Sequence, residues 1–200
     1  MKTIQIITTV VTLSLLVLSA VNTRAQDFTD KGTTELNGTF AVSFESASNS
    51  YAGDEFRFNT FILGFSIGTM VAKGFEISFA PTVISQGAGS SAVVGLYVAP
   101  SYNITTGSKI YPFIEGVIGI DLMSNVNSGN GFGYGGNLGL KSNLSGNFML
   151  ISQLTILQQV YESGSDLPPP YFTHHTITLT TVAFSAGFSI FFTRKAPTKK

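Results

Sequence analysis

From about Thr33 onward, apolar residues and small or polar residues trade places at every second position. That is the period of a β-strand whose two faces meet different surroundings. Strand one is expected near Thr33 to Glu45, with Leu36, Phe40, Val42 and Phe44 on one face and Glu35, Asn37, Thr39 and Ser43 on the other. Further strands of the same kind are expected near Phe56 to Val71, Phe75 to Ser85, Ser91 to Ile104, Lys109 to Leu122, Gly131 to Ser142 and Asn147 to Gln159. The last, near Thr176 to Phe192, changes phase: Ile177 and Leu179 are odd-numbered, whereas Val182, Phe184, Phe188 and Ile190 are even. A bulge near Thr180-Thr181 would restore one outward face. Alternatively, the upper part of this strand lies above a membrane, where phase is free.

The chemistry of the faces is inverted relative to a soluble sheet. A soluble sandwich turns its polar face to water and packs its apolar face inward. Here one face is Phe, Leu, Ile and Val without charge, and the other is Gly, Ser, Thr and Asn with isolated charges. That fits strands whose apolar side meets lipid and whose polar side meets a lumen. The connections alternate too. Val71 to Gly74, Thr105 to Ser108 and Asn143 to Gly146 are short and Gly-bearing, and between them lie the longer polar stretches Ser46 to Glu55, Gln86 to Ser90, Met123 to Asn130 and Val160 to His175. Short turns at one rim and longer loops at the other complete the expectation: an all-β, eight-stranded antiparallel up-and-down transmembrane β-barrel with both termini on the periplasmic side.

Composition narrows the picture. Charged residues make up 11% of the 200, against about 25% in a soluble domain. Net charge is zero, so no electrostatic case for a nucleic-acid partner arises. The absence of Cys removes disulfides, thiol catalysis and lipoprotein acylation. Lys2, the apolar stretch Ile4 to Val21 and the small residues Thr23 and Ala25 read as a secretory signal cleaved after Ala25. The expected organisation is a signal peptide at 1–25, a barrel domain at 26–192 and a short basic periplasmic tail at 193–200. The expected location is the cell outer membrane.

The segment Tyr97-Val98-Ala99-Pro100-Ser101-Tyr102, followed after a Gly turn by Tyr111-Pro112-Phe113-Ile114-Glu115-Gly116-Val117-Ile118-Gly119, resembles the outer-membrane β-barrel domain family, which includes the OmpA-like and OmpX-like eight-stranded barrels. The resemblance extends to about Phe192 and implies fold and location more than activity. Such barrels usually end on an aromatic residue read by the barrel-assembly machinery. Here Phe191-Phe192 is followed by Thr193 to Lys200, so either the assembly signal is internal or the tail is tolerated.

Candidate chemistry is sparse. The two His residues, His174 and His175, are neighbours in a strand and so point to opposite faces. They can neither chelate together nor share one catalytic site. No catalytic residue, cofactor or metal is expected. Glu35, Glu76, Glu115 and Lys141 fall in lumen phase near the periplasmic end, with Asp121 higher. They are expected to form a structural polar cluster, because eight strands enclose little more than side chains. Lys141 should lie within about 4 Å of at least one of those carboxylates, since a lone buried ammonium is costly. Phe75, Tyr102, Tyr111, Phe148 and Phe192 are expected to form an interfacial girdle. Loop 160–175, stiffened by Pro168, Pro169 and Pro170, is the candidate contact for an extracellular partner. The other expected partners are outer-membrane lipid, lipopolysaccharide and the barrel-assembly machinery. The leading expectation is a non-enzymatic envelope protein. A narrow porin-like channel for small or hydrophobic solutes, and more remotely a lipid A-modifying enzyme, are the alternatives.

Overall fold

The computed structural model describes residues 28–49, 55–86, 91–106, 108–123, 130–164 and 174–193. The signal segment, most of the basic tail and the central part of loop 160–175 lie outside them. Eight strands follow in order: β1 (Thr34–Asn49), β2 (Glu55–Ala72), β3 (Phe75–Gln86), β4 (Ser91–Asn103), β5 (Ile110–Met123), β6 (Gly131–Ser145), β7 (Phe148–Gly164) and β8 (His174–Phe192). Each pairs antiparallel with its neighbours, and β8 closes on β1, from Thr34 opposite Phe192 to Asn49 opposite Ile177. Closure removes the unpaired edges that an open sheet would expose.

Even-numbered positions of most strands turn outward, and they are the large apolar ones. Ile114, Leu138 and Phe184 are 59%, 64% and 66% exposed. A continuous apolar belt of this kind is stable only against hydrocarbon. The strands run from 12 residues in β3 to 19 in β8, whereas about 9–11 suffice to cross a bilayer. The longer hairpins, above all β7 and β8, therefore extend beyond the membrane on the loop side. The short turns lie at the opposite rim. Gly74, in the turn between β2 and β3, has a φ of 73°, and a Cβ there would sit 2.6 Å from the carbonyl oxygen of Asn103. Only glycine meets both demands.

Several expectations need correction. No bulge interrupts β8: its register with β1 and with β7 is unbroken. Leu179 faces the lumen and is buried, so the change of phase is an apolar residue placed inside. Tyr111 is not part of an outer girdle. Its ring points inward and meets Phe28 edge-on, at 4.7 Å between centroids. Loop 160–175 is shorter than expected, because β7 runs to Gly164 and β8 begins at His174.

Two irregularities of the wall stand out. The β2–β3 ladder passes from Gly64 opposite Thr82 to Ile67 opposite Phe79, with no pair at Pro81. The β4–β5 ladder passes from Val98 opposite Ile118 to Ser101 opposite Glu115, with no pair at Pro100. Proline has no N–H to contribute, and a closed barrel offers no edge on which to hide it.

Candidate functional site

The lumen holds two polar layers. The lower one, at the short-turn end, is centred on Lys141 of β6. Its Nζ lies 2.6 Å from Glu35 Oε2 of β1 and 3.3 Å from Glu76 Oε2 of β3. All three residues are buried. The remaining oxygens are also served. Ser189 Oγ donates to Glu35 Oε1. Ser78 Oγ donates to Glu76 Oε1 at 3.0 Å, and Ser101 Oγ to Glu76 Oε2 at 3.3 Å. The Lys141 ammonium also lies 5.3 Å from the centroid of the Phe28 ring and 5.2 Å from that of Phe113, within cation–π range. One ammonium thus ties three strands together across the lumen, with the geometry and extra hydrogen bonds that a buried ion pair needs. Glu115 takes a different hydrogen-bond partner: its Oε1 accepts from Asn137 Nδ2 at 2.5 Å.

Below Lys141 an apolar cap closes the mouth. Phe28 precedes β1 in the chain yet is 1% exposed, packed with Met70, Met149 and Phe191. Its segment is pinned by Gly32 N–H donating to Met70 O at 2.8 Å and Gly74 N–H donating to Thr29 O at 2.9 Å. Periodicity gave no hint of this, because Phe28 belongs to no alternating run.

The upper layer surrounds Asp121 of β5, which is fully buried. Tyr97 Oη donates to its Oδ1 at 2.5 Å, and Gln159 Nε2 to its Oδ2 at 2.9 Å. Tyr161 Oη approaches Oδ2 at 3.5 Å. Glycines make room for the two rings: a Cβ on Gly95 would lie 2.3 Å from the Tyr97 ring, and one on Gly131 2.3 Å from that of Tyr161. The sequence reading missed this cage. Its available signal was a lumen-phase Tyr facing lumen-phase Gly on adjacent strands. Ile84, Val93 and Leu157 pack with Tyr97 into an apolar belt beneath the cage.

Between the layers lies a chamber of about 110 Å³, with Asn37, Thr39, Glu115, Asn137, Lys141 and Ser185 in its lining. His174 and His175 pair through their backbones with Gly164 and Ser163, and their side chains lie outside the described residues.

This architecture is shared with solved membrane proteins. The chain superposes on the outer membrane protein OprG from Pseudomonas aeruginosa with a TM-score of 0.54 at 11% identity, over 82% of this chain and 98% of that one. For Neisserial surface protein A the TM-score is 0.54 at 12% identity, over 80% and 99% of the two chains. For outer membrane protein AlkL in lipid bilayers it is 0.53 at 16%, over 90% and 98%. The fold is that of an eight-stranded outer-membrane β-barrel. No protein-family model matches the chain, and no curated protein matches it. At such low identities the likeness speaks for the barrel and its apolar belt, and the lumen has to be understood from its own side chains.

Proposed function

We infer that this barrel is a non-enzymatic integral protein of the outer membrane, contributing to envelope structure or to surface interaction through its loops. The observation that carries this reading is the closure of the lumen by successive layers: the Phe28 cap, the Lys141–Glu35–Glu76 cluster, the apolar belt at Ile84 and Leu157, and the Asp121 cage. A barrel filled in this way is a rigid pedestal. Its belt would be bathed in outer-membrane lipid and lipopolysaccharide, and insertion would depend on the barrel-assembly machinery. The stretch within 160–175 between β7 and β8 is the candidate contact for an extracellular partner. His174 and His175 are neighbours in a strand and so point to opposite faces; on the non-enzymatic reading His174→Ala and His175→Ala leave lipid A unaltered. Mass spectrometry of lipid A from cells with and without the protein tests this. An acyl chain lost only in the presence of the wild-type protein would overturn the non-enzymatic reading.

A second reading rests on the gaps at Pro81 and Pro100. The inner chamber lies against the first of these, with Phe65 and Ser66 in its lining. A break in the wall beside an internal chamber is where a small or hydrophobic solute could pass sideways between lumen and lipid. On this reading Pro81→Ala, which restores a ladder donor, slows uptake of a small hydrophobic solute into proteoliposomes. Unchanged or absent uptake in both proteins removes it.

A further inference from the structure

One place on the lipid face is hollow. Around Gly136 of β6 the outer wall carries a groove of about 510 Å³, flanked by Tyr134 and Leu138 of β6 and by Leu154, Ile156 and Gln158 of β7. Leu138, Leu154 and Ile156 are exposed. The floor is bare backbone. A Cβ on Gly135 would lie 2.1 Å from the carbonyl oxygen of Ile156, and one on Gly136 2.9 Å from that of Glu115. No side chain fits at either position, so the hollow is built into the wall.

The upper end of the groove is polar. Tyr134 Oη donates to Gln158 Oε1 at 2.5 Å. That leaves the Gln158 Nε2 hydrogens without a partner among the described residues. Two observations put this pair at the outer interface. Going up β7 and β8 from the short-turn end, Gln158 opposite Thr180 is the first pair in which both outward residues are polar, directly after Ile156 opposite Val182. Gln158 also stands ten residues above Phe148 along β7, and Phe148 stacks on Phe188 near the short-turn rim. At ~3.3 Å per residue and a tilt of ~40°, that is ~25 Å of height, the span of an outer-membrane apolar band. The groove therefore starts at the outer headgroup level and descends into the outer leaflet.

The groove is continuous with the lipid-facing belt, so hydrocarbon covers it. A second barrel fits it poorly, because two convex walls meet along a line and leave the floor of a hollow empty. A single acyl chain can lie in it. The loop-side leaflet of an outer membrane is lipopolysaccharide, and each chain of its lipid A carries an ester or amide carbonyl near the headgroup. We propose that the groove over Gly136 holds one acyl chain of a lipopolysaccharide molecule, with the Gln158 amide donating to a carbonyl of its lipid A. This deepens the envelope reading and rests on it: general contact with lipopolysaccharide becomes one defined site.

The test is native mass spectrometry of the refolded barrel in detergent, titrated with synthetic lipid A. An adduct that saturates at one lipid A per barrel is expected, retained better than phosphatidylethanolamine of the same chain length. Ile156→Trp places an indole directly opposite Gly136, where an aromatic ring can lie over a cross-strand glycine. It should fill the groove and weaken the apparent affinity about tenfold. Gln158→Leu, which removes the donor and keeps the groove, should weaken it a few-fold. Val42→Trp, exposed on β1, should leave it unchanged. Heat-modifiable migration on gels verifies that each variant is folded, and should Ile156→Trp fail to fold, Gln158→Leu decides. No saturable adduct overturns the proposal. So do equal losses in Val42→Trp, equal retention of the phospholipid, or paired barrels in place of the lipid A adduct. The envelope reading fails separately, if the bound lipid A is recovered with an acyl chain missing.

Discussion

At the short-turn end of the lumen two buried carboxylates, Glu35 and Glu76, share an ammonium. At the loop end Asp121, equally buried, is surrounded by neutral donors from Tyr97, Gln159 and Tyr161. The difference lies in what each layer risks. An ion pair is strong only while both partners remain, and loss of one leaves a desolvated charge. A cage of neutral donors spreads the stabilisation, so loss of one donor leaves the others in place. The lower layer should therefore fail steeply and the upper one gradually.

The largest effect is expected from Lys141→Met. It leaves Glu35 and Glu76 unpaired and should cost about 3–5 kcal/mol, read from urea unfolding in lipid vesicles. Adding Glu35→Gln should restore part of that loss, and a double variant no more stable than the single one would break the comparison. Next is Leu154→Arg on the lipid face, expected to cost about 2–4 kcal/mol near mid-bilayer. It checks which face looks outward, and a negligible cost would reverse the assignment on which both layers depend. Tyr97→Phe removes one donor from the cage and should cost about 1.5–3 kcal/mol, the range for a hydrogen bond to a charged group. Because Gln159 and Tyr161 remain, the lower end is expected, and a loss equal to that of Lys141→Met would contradict the graded behaviour. The smallest effect belongs to Ser78→Ala. It removes one of several donors to Glu76 and should cost about 1 kcal/mol by the same measurement.

The strands were legible because lipid and lumen impose a strict alternation on each of them, and their boundaries moved by only a few residues, outward into the loops for β7 and β8. Lys141 could be paired with its carboxylates on paper because a buried ammonium has few alternatives. Which carboxylates it meets could not be read, since that depends on how far the strands are staggered around the barrel; Glu115 went to Asn137. Phase alone also misled where an apolar side chain fills the lumen. Leu179 looked like a slipped register, and Tyr111, beside a turn, like an interfacial ring. The Asp121 cage escaped because it is built from four side chains on three strands, none with a distinctive local motif. The Phe28 cap escaped because it is a tertiary contact made by a residue outside the repeating pattern.

The central claim is that these layers close the barrel. Recordings of the wild-type protein in planar lipid bilayers test it most directly. The account predicts no steady unitary current in symmetric salt from protein that is demonstrably inserted and folded. Stable, ion-selective channels of uniform conductance would contradict it.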